Sequence, residues 1–323
     1  MAGAGPVAGA PPPAAPAGEA APAPEGIGQP GPLPLGLDWG ALGLGLAFAL
    51  MWSSAFTSAR VIVAEAPPLS VSALRFAIAG SIAVALALAL GQSARLTRAQ
   101  WRATLPFGVC QNALYLGLYF VAMQTVEASL AAITASTMPL IVAALGWAGG
   151  AGRVRPMGAA GLALGLAGVL LVMGARLGAG VDPFGLALCA VGVTALALAT
   201  LSVRGATAGG NVLMIVGLQM WVGAAILAAI GLPLEAWDVT WTPRLTLAFA
   251  YTVLVPGLLA TFIWFVLVRR VGAVRAATFH FLNPVFGVLI AALLLGERLG
   301  PLDLAGVAVV TVGILLVQIS RQG

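Results

Sequence analysis

One rhythm restricts the fold more than anything else in the chain. From Asp38 onward, apolar runs of about 20 residues alternate with short polar breaks. Ten such runs occur, at 40–62, 68–90, 104–124, 128–148, 157–175, 183–203, 211–231, 245–268, 274–295 and 301–320. A helix rising about 1.5 Å per residue crosses a hydrocarbon core of about 30 Å in that length. Short breaks make neighbouring spans antiparallel. A β-barrel would need strands of about ten residues alternating polar and apolar, and these runs do not alternate. With 61% hydrophobic and 8% charged residues and a mean hydropathy of +1.05, the chain is too apolar for a water-soluble globule. The expected class is an all-α membrane protein with ten transmembrane helices.

Residues 1–37 are different. They are almost entirely Ala, Pro and Gly, so they can neither hold a regular helix nor build a core. A disordered tail is expected. It has neither a basic start nor an unbroken apolar run, so it does not read as a signal peptide.

A pI near 10.2 raises the question of nucleic acid. The net charge is only +5 and the arginines are scattered singly, so no basic face forms and no nucleic-acid partner is expected. Cys110 and Cys189 both sit in apolar runs, which argues against a disulfide framework or a cysteine metal site. No metal or other cofactor is expected.

The charges set an expected orientation. With both termini in the cytoplasm, the inner loops and C-terminus hold Arg95, Arg98, Arg102, Arg153, Arg155, Arg204, Arg269, Arg270, Arg275 and Arg321. The outer loops hold only Arg176, Arg244 and Arg298, a positive-inside bias. Arg60 and Arg75 fall near outer span ends, where arginines can snorkel.

The chain also repeats itself at an offset of 145 residues. Pro139 meets Pro284, Arg153 meets Arg298, Pro156 meets Pro301, Gly161 meets Gly306 and Gly168 meets Gly313. Phe120 meets Phe265 and Val126 meets Val271. The offset holds five spans, an odd number, so the halves would cross the bilayer in opposite directions. The expected organisation is two inverted five-helix repeats, residues 38–176 and 177–323, as in many secondary transporters.

Particular stretches then carry a resemblance. They are Trp52-Ser53-Ser54-Ala55-Phe56 in span 1, Pro67-Pro68 before span 2 and Ala73-Leu74-Arg75-Phe76 within it. In the second half they are Ala276-Ala277 through Asn283-Pro284 in span 9, and Gly296-Glu297-Arg298 before span 10. In this order, with ten spans and the repeat, the chain resembles the drug/metabolite transporter superfamily, in its EamA-like branch of ten-helix carriers. That resemblance covers roughly residues 40–320. It implies export or exchange of small metabolites, amino acids or drugs across a bacterial inner membrane. The family often ends spans 4 and 9 with a Gly-Glu pair, whereas here the first half has Ala151-Gly152-Arg153. The acid is therefore assigned no coupling role.

Polar groups inside lipid are costly, which makes their placement informative. Gln111, Tyr115 and Tyr119 in span 3 share a helical face. Span 1 offers Trp52 and Ser54, span 4 offers Thr134 and Thr137, span 8 offers Trp264, and span 9 offers His280, Phe281 and Asn283. Together they would line an aromatic, neutral, hydrogen-bonding cavity suited to a small ligand with flat apolar surface. Each has a plainer alternative. His280, the only histidine, either lines the cavity, couples protons, or bonds a neighbouring helix. Serines and threonines often glue membrane helices together. Pro139 and Pro284 either mark paired hinges or only kink their helices. Arg75 reads as an orienting residue rather than a substrate anchor. The glycines of spans 5 and 10 serve close helix packing or a homodimer face.

No acid and no arginine is expected at mid-membrane, which disfavours a carboxylate proton relay and a sugar-phosphate clamp. No P-loop occurs, so transport should be secondary. One His, two Cys and no buried acid pair give no base for an enzyme. The alternatives that remain are a passive facilitator or channel of the same fold and a transport-dead scaffold.

Overall fold

The structure, a computed structural model, describes residues 39–148, 155–178, 180–202, 211–271, 276 and 278–322, together with Gly3. The expected tail of residues 1–37 lies outside the described residues, Gly3 apart. The described chain is all-helical.

Seven helices are long and apolar enough to cross a membrane: α1 (Trp39–Val63), α2 (Pro68–Ala89), α3 (Arg98–Ala122), α4 (Ala128–Leu145), α6 (Pro183–Leu201), α7 (Val212–Leu234) and α8 (Pro243–Val268). Three more helices are α5 (Pro156–Gly178), α9 (Asn283–Leu295) and α10 (Pro301–Gln322); their described apolar stretches are shorter. Between them these helices account for the ten apolar runs of the sequence. Large apolar side chains cover the outside of the bundle, with Leu247, Leu293 and Leu294 each more than 70% exposed. Such a surface is stable only against lipid. Exposed Trp39 lies at one end of α1, and exposed Trp237 and Trp241 lie between α7 and α8, as indoles do at bilayer interfaces.

Several helix starts were written in local sequence. Thr97 caps α3 by accepting from the Gln100 backbone N–H, while the Gln100 side chain accepts from Thr97 N–H at 2.9 Å. This capping box starts α3 six residues before its apolar run. Thr242 caps α8 by accepting from the Leu245 backbone N–H, with Pro243 at the first helical position.

Hydrogen bonds sort the connections into two faces. Thr242 Oγ1, before α8, donates to Glu65 between α1 and α2 at 2.5 Å. Glu235, after α7, accepts the Leu69 and Ser70 backbone N–H groups that start α2. Glu297, after α9, does the same for Ala128 and Ser129 at the start of α4. Thr125 donates to Asp182, which precedes α6. Arg60 at the end of α1 donates to Met123 O after α3, which ties the two sets together, so these five connections share one face. The opposite face joins the α2–α3 and α6–α7 connections, where Asn211 accepts from Ser93 N–H and Gln92 accepts from Met214 N–H.

Helix pairing is reciprocal. α2 packs along α7, and α5 along α10. α1 packs against α8 and α9, whereas α6 packs against α3 and α4. Glycines allow the closest of these approaches. A methyl group added at Gly161 would lie 2.8 Å from Gly313 O, and one at Gly168 would lie 2.8 Å from Val310 N. The glycines of α5 and α10 thus face each other within the chain, which is the close packing expected of them.

Three helices are irregular, at matching places. α3 widens to π-helical turns over Gly108–Leu116, and α8 does so over Val253–Leu259. The second stretch begins 145 residues after the first. α4 breaks between Ala135 and Met138. At the equivalent point, the 3-10 turn Thr278–Leu282 gives way to α9 at Asn283. Pro139 and Pro284 each stand second in the helical segment that follows. There a missing N–H costs nothing, so each proline starts a segment rather than kinking one.

Candidate functional site: an aromatic cavity between the helices

A small cavity of about 40 Å³ lies among α1, α2, α3, α7 and α8. It has room for about three waters. Four of the residues expected at a binding site line it: Trp52, Gln111, Tyr115 and Tyr119. The rest of its wall is mostly aromatic and apolar, with Phe56, Phe76, Phe120, Met123 and Met220. Pro256 and Gly257 contribute from the irregular part of α8, and Thr252 and Thr261 from either side of it. The wide turns therefore sit where α3 and α8 meet the cavity, and π-helical turns often occur at functional sites.

The tyrosines are held from behind. Tyr115 and Tyr119 pack ring to ring with centroids 4.7 Å apart. Tyr119 also shares a 3.1 Å hydrogen bond with Thr134 of α4. Thr134 Oγ1 lies 2.8 Å from Ala131 O, and Thr137 Oγ1 donates to Thr134 O at 2.7 Å. Both threonines are buried in α4 and bond locally, and neither is among the residues lining this cavity. Asn112 does line it, and its amide donates to Gln219 O of α7 at 2.9 Å.

His280 and Asn283 sit in a second cluster beside the first. Asn283 Nδ2 lies 2.8 Å from His280 Nδ1. Ser53 Oγ of α1 reaches Asn283 O at 3.3 Å. The imidazole packs edge-on against Phe48, Trp52 and Trp264, with centroids 5.1, 6.2 and 5.0 Å away. This hydrogen-bonded pair lies behind Trp52, and Trp52 is the side chain shared by both clusters. Ser54 is spent between helices, hydrogen-bonded to Tyr251 at 2.6 Å. The Phe281 side chain lies outside the described residues.

Arg75 departs most from the sequence reading. It does not snorkel. It is buried, 5% exposed, and lines the cavity. Its guanidinium carbon lies 4.0 Å from the Phe76 ring centre and 4.5 Å from that of Phe120. Its Nε and Nη2 are buried without a hydrogen-bond partner. Phe56, Phe76, Phe120 and Met220 were also missed, since apolar residues in an apolar span give no signal of which face turns inward; Thr252 was missed as well. Arg75 did give one: an ionisable residue well inside a span is a functional candidate wherever it falls.

One family model matches the chain. The EamA-like transporter family matches the chain twice, over residues 39–174 and 183–319. The uncharacterized inner membrane transporter YedA of Escherichia coli (strain K12) is 28% identical over 293 residues, covering 90% of this chain and 92% of its own. The aromatic amino acid exporter YddG of Ancylobacter novellus is 30% identical over 135 residues, covering 42% of this chain and 46% of its own. A protein of known crystal structure, 22% identical, matches the fold with a TM-score of 0.64, over 88% of this chain and 98% of that one. With both halves matched and the outside of its helix bundle apolar, this chain belongs to the EamA-like transporter family of membrane transporters.

Proposed function

We propose that the protein is a secondary transporter of a bacterial inner membrane that exports or exchanges a small neutral or zwitterionic metabolite, such as an amino acid, or a drug, by alternating access. The observation that carries this reading is the cavity, enclosed by α1, α2 and α3 of one half and α7 and α8 of the other. Its lining is aromatic, with hydrogen-bonding groups at Gln111, Thr252 and Thr261, which fits a ligand with a flat apolar body and a few polar atoms. The name of the similar aromatic amino acid exporter points the same way.

The halves would be inverted five-helix repeats, residues 38–176 and 177–323, following the tail of 1–37. Three observations support this: the two family matches, the wide turns 145 residues apart, and the reciprocal pairing of α1 with α8 and α9 and of α6 with α3 and α4. Both termini would be cytoplasmic, from the arginine bias. The α1–α4 and α6–α9 groups would rock about the cavity, bending at the breaks beside Pro139 and Pro284, while α5 and α10 form a fixed pair. Trp52, Gln111, Tyr115 and Tyr119 would touch substrate. Ser54, Thr134, Thr137, Trp264, His280, Phe281 and Asn283 would shape the wall behind them.

Counterflow tests this. Proteoliposomes loaded with unlabelled L-phenylalanine should take up labelled L-phenylalanine transiently above equilibrium, and L-leucine and a quaternary ammonium drug would be run beside it. Equilibration without overshoot for a transported compound would indicate a passive facilitator instead.

A further inference from the structure

We infer that Arg75 is the carboxylate anchor of the cavity, so that the substrate carries a carboxylate next to an aromatic or apolar body. The inference rests on the carrier reading above and narrows its substrate class.

Arg75 stands seven residues into α2, about 10 Å along the helix at its usual rise. A buried guanidinium so far from the interface is costly unless something meets its charge. The rings of Phe76 and Phe120 meet part of it through their π-faces, but a ring accepts no pair of hydrogen bonds. No carboxylate is hydrogen-bonded to Arg75 among the described residues. Glu65, Glu235, Glu297 and Asp182 are taken up by helix starts at one face of the bundle.

The identity of the orphaned donors sharpens the point. Nε and Nη2 are the two nitrogens along one edge of the guanidinium, and both lack a partner. Their N–H bonds run parallel at the spacing of the two oxygens of a carboxylate. A single arginine matches a monocarboxylate or an amino-acid zwitterion, and is too little for a doubly charged phosphate. The aromatic walls at Trp52, Phe56 and Tyr115 would take the rest of the molecule. Both donors are shut off from solvent in this conformation, and the cavity is far smaller than an amino acid. Binding at the fork therefore goes with opening of the cavity, as alternating access requires.

The test is thermal unfolding of the purified full-length protein with four probes: L-phenylalanine, 3-phenylpropionate, L-phenylalaninamide and 2-phenylethylamine. The first two keep the carboxylate and the last two lack it. The two acids should raise the midpoint, and the amide and amine should leave it unchanged. Arg75→Lys keeps the charge without the fork and should lose about tenfold or more in apparent affinity for the acids, and Arg75→Gln should lose the response. If Arg75→Gln fails to fold, the wild-type probe series and Arg75→Lys decide the matter. Equal stabilisation by the amide or amine would overturn the anchor while leaving a carrier of neutral or amine compounds standing. No stabilisation by either acid would also overturn it. Failure of the carrier reading itself would show separately, in the absence of counterflow by the wild type.

Discussion

Glu297 holds Ser129. Its carboxylate accepts the Ser129 backbone N–H at 2.9 Å and that of Ala128 at 2.8 Å, although the residues stand 168 positions apart. A helix start has unpaired N–H groups and a partial positive charge, and here a side chain from the other half of the chain meets both needs. Glu235 does the same for α2. Glu297→Ala should lower stability by about 1 kcal/mol, read as a lower midpoint of thermal unfolding. Glu297→Gln keeps one acceptor oxygen and should lose less. Equal midpoints for all three proteins would show that the contact contributes nothing.

The α5–α10 contact is tighter than any side chain allows. Gly313 faces Gly165, where an added methyl group would lie 2.5 Å from the Gly165 nitrogen. Gly313→Leu should therefore separate the helices at a cost of about 2 kcal/mol or more. It should show as reduced yield of folded protein and a lowered unfolding midpoint. A variant as stable as the wild type would mean that the two helices can part freely.

Trp52 joins the cavity to the His280 cluster. Trp52→Ala should weaken substrate binding by about tenfold through loss of aromatic contact, and Trp52→Phe should recover most of it. Binding isotherms on the purified variants check this. An unchanged affinity in Trp52→Ala would remove the residue from the site.

His280 and Asn283 are hydrogen-bonded to each other, so their removal should act through the fold. Asn283→Ala leaves His280 Nδ1 without its hydrogen-bond partner and should cost about 1–3 kcal/mol. Transport per folded molecule should fall less than in Trp52→Ala. If His280→Ala abolished transport in a protein of wild-type stability, the imidazole would have a direct role in the cycle, and this account of the cluster would be wrong.

The helices were legible in the sequence because lipid demands long apolar runs with every backbone group paired internally. The Gln111, Tyr115 and Tyr119 face was legible because polar residues in lipid turn inward. The wide turns of α3 and α8 were not, because they arise from how helices meet and leave no mark in local propensity. Arg75 was misread for a related reason. Its place in the first turns of its span suggested snorkelling, and only the packing of Phe76 and Phe120 around it shows that it points inward. His280 and Asn283 were visible as costly residues, but their partnership depends on a 3-10 turn that periodicity does not reveal.

Alternating access makes one demand that no pore makes: closing one face must open the other. Glu65 and Thr242 bind each other across the two halves at one face. With Cys110 and Cys189 replaced by Ala, cysteines at both positions can be joined by a short bifunctional thiol reagent, or left unjoined. A further cysteine at Ala55, in the cavity wall, then reports access through its reaction with a membrane-impermeant maleimide from the opposite face. The account predicts faster reaction at Ala55→Cys when Glu65→Cys and Thr242→Cys are joined. An unchanged rate would mean that the two faces are not coupled, and would contradict it.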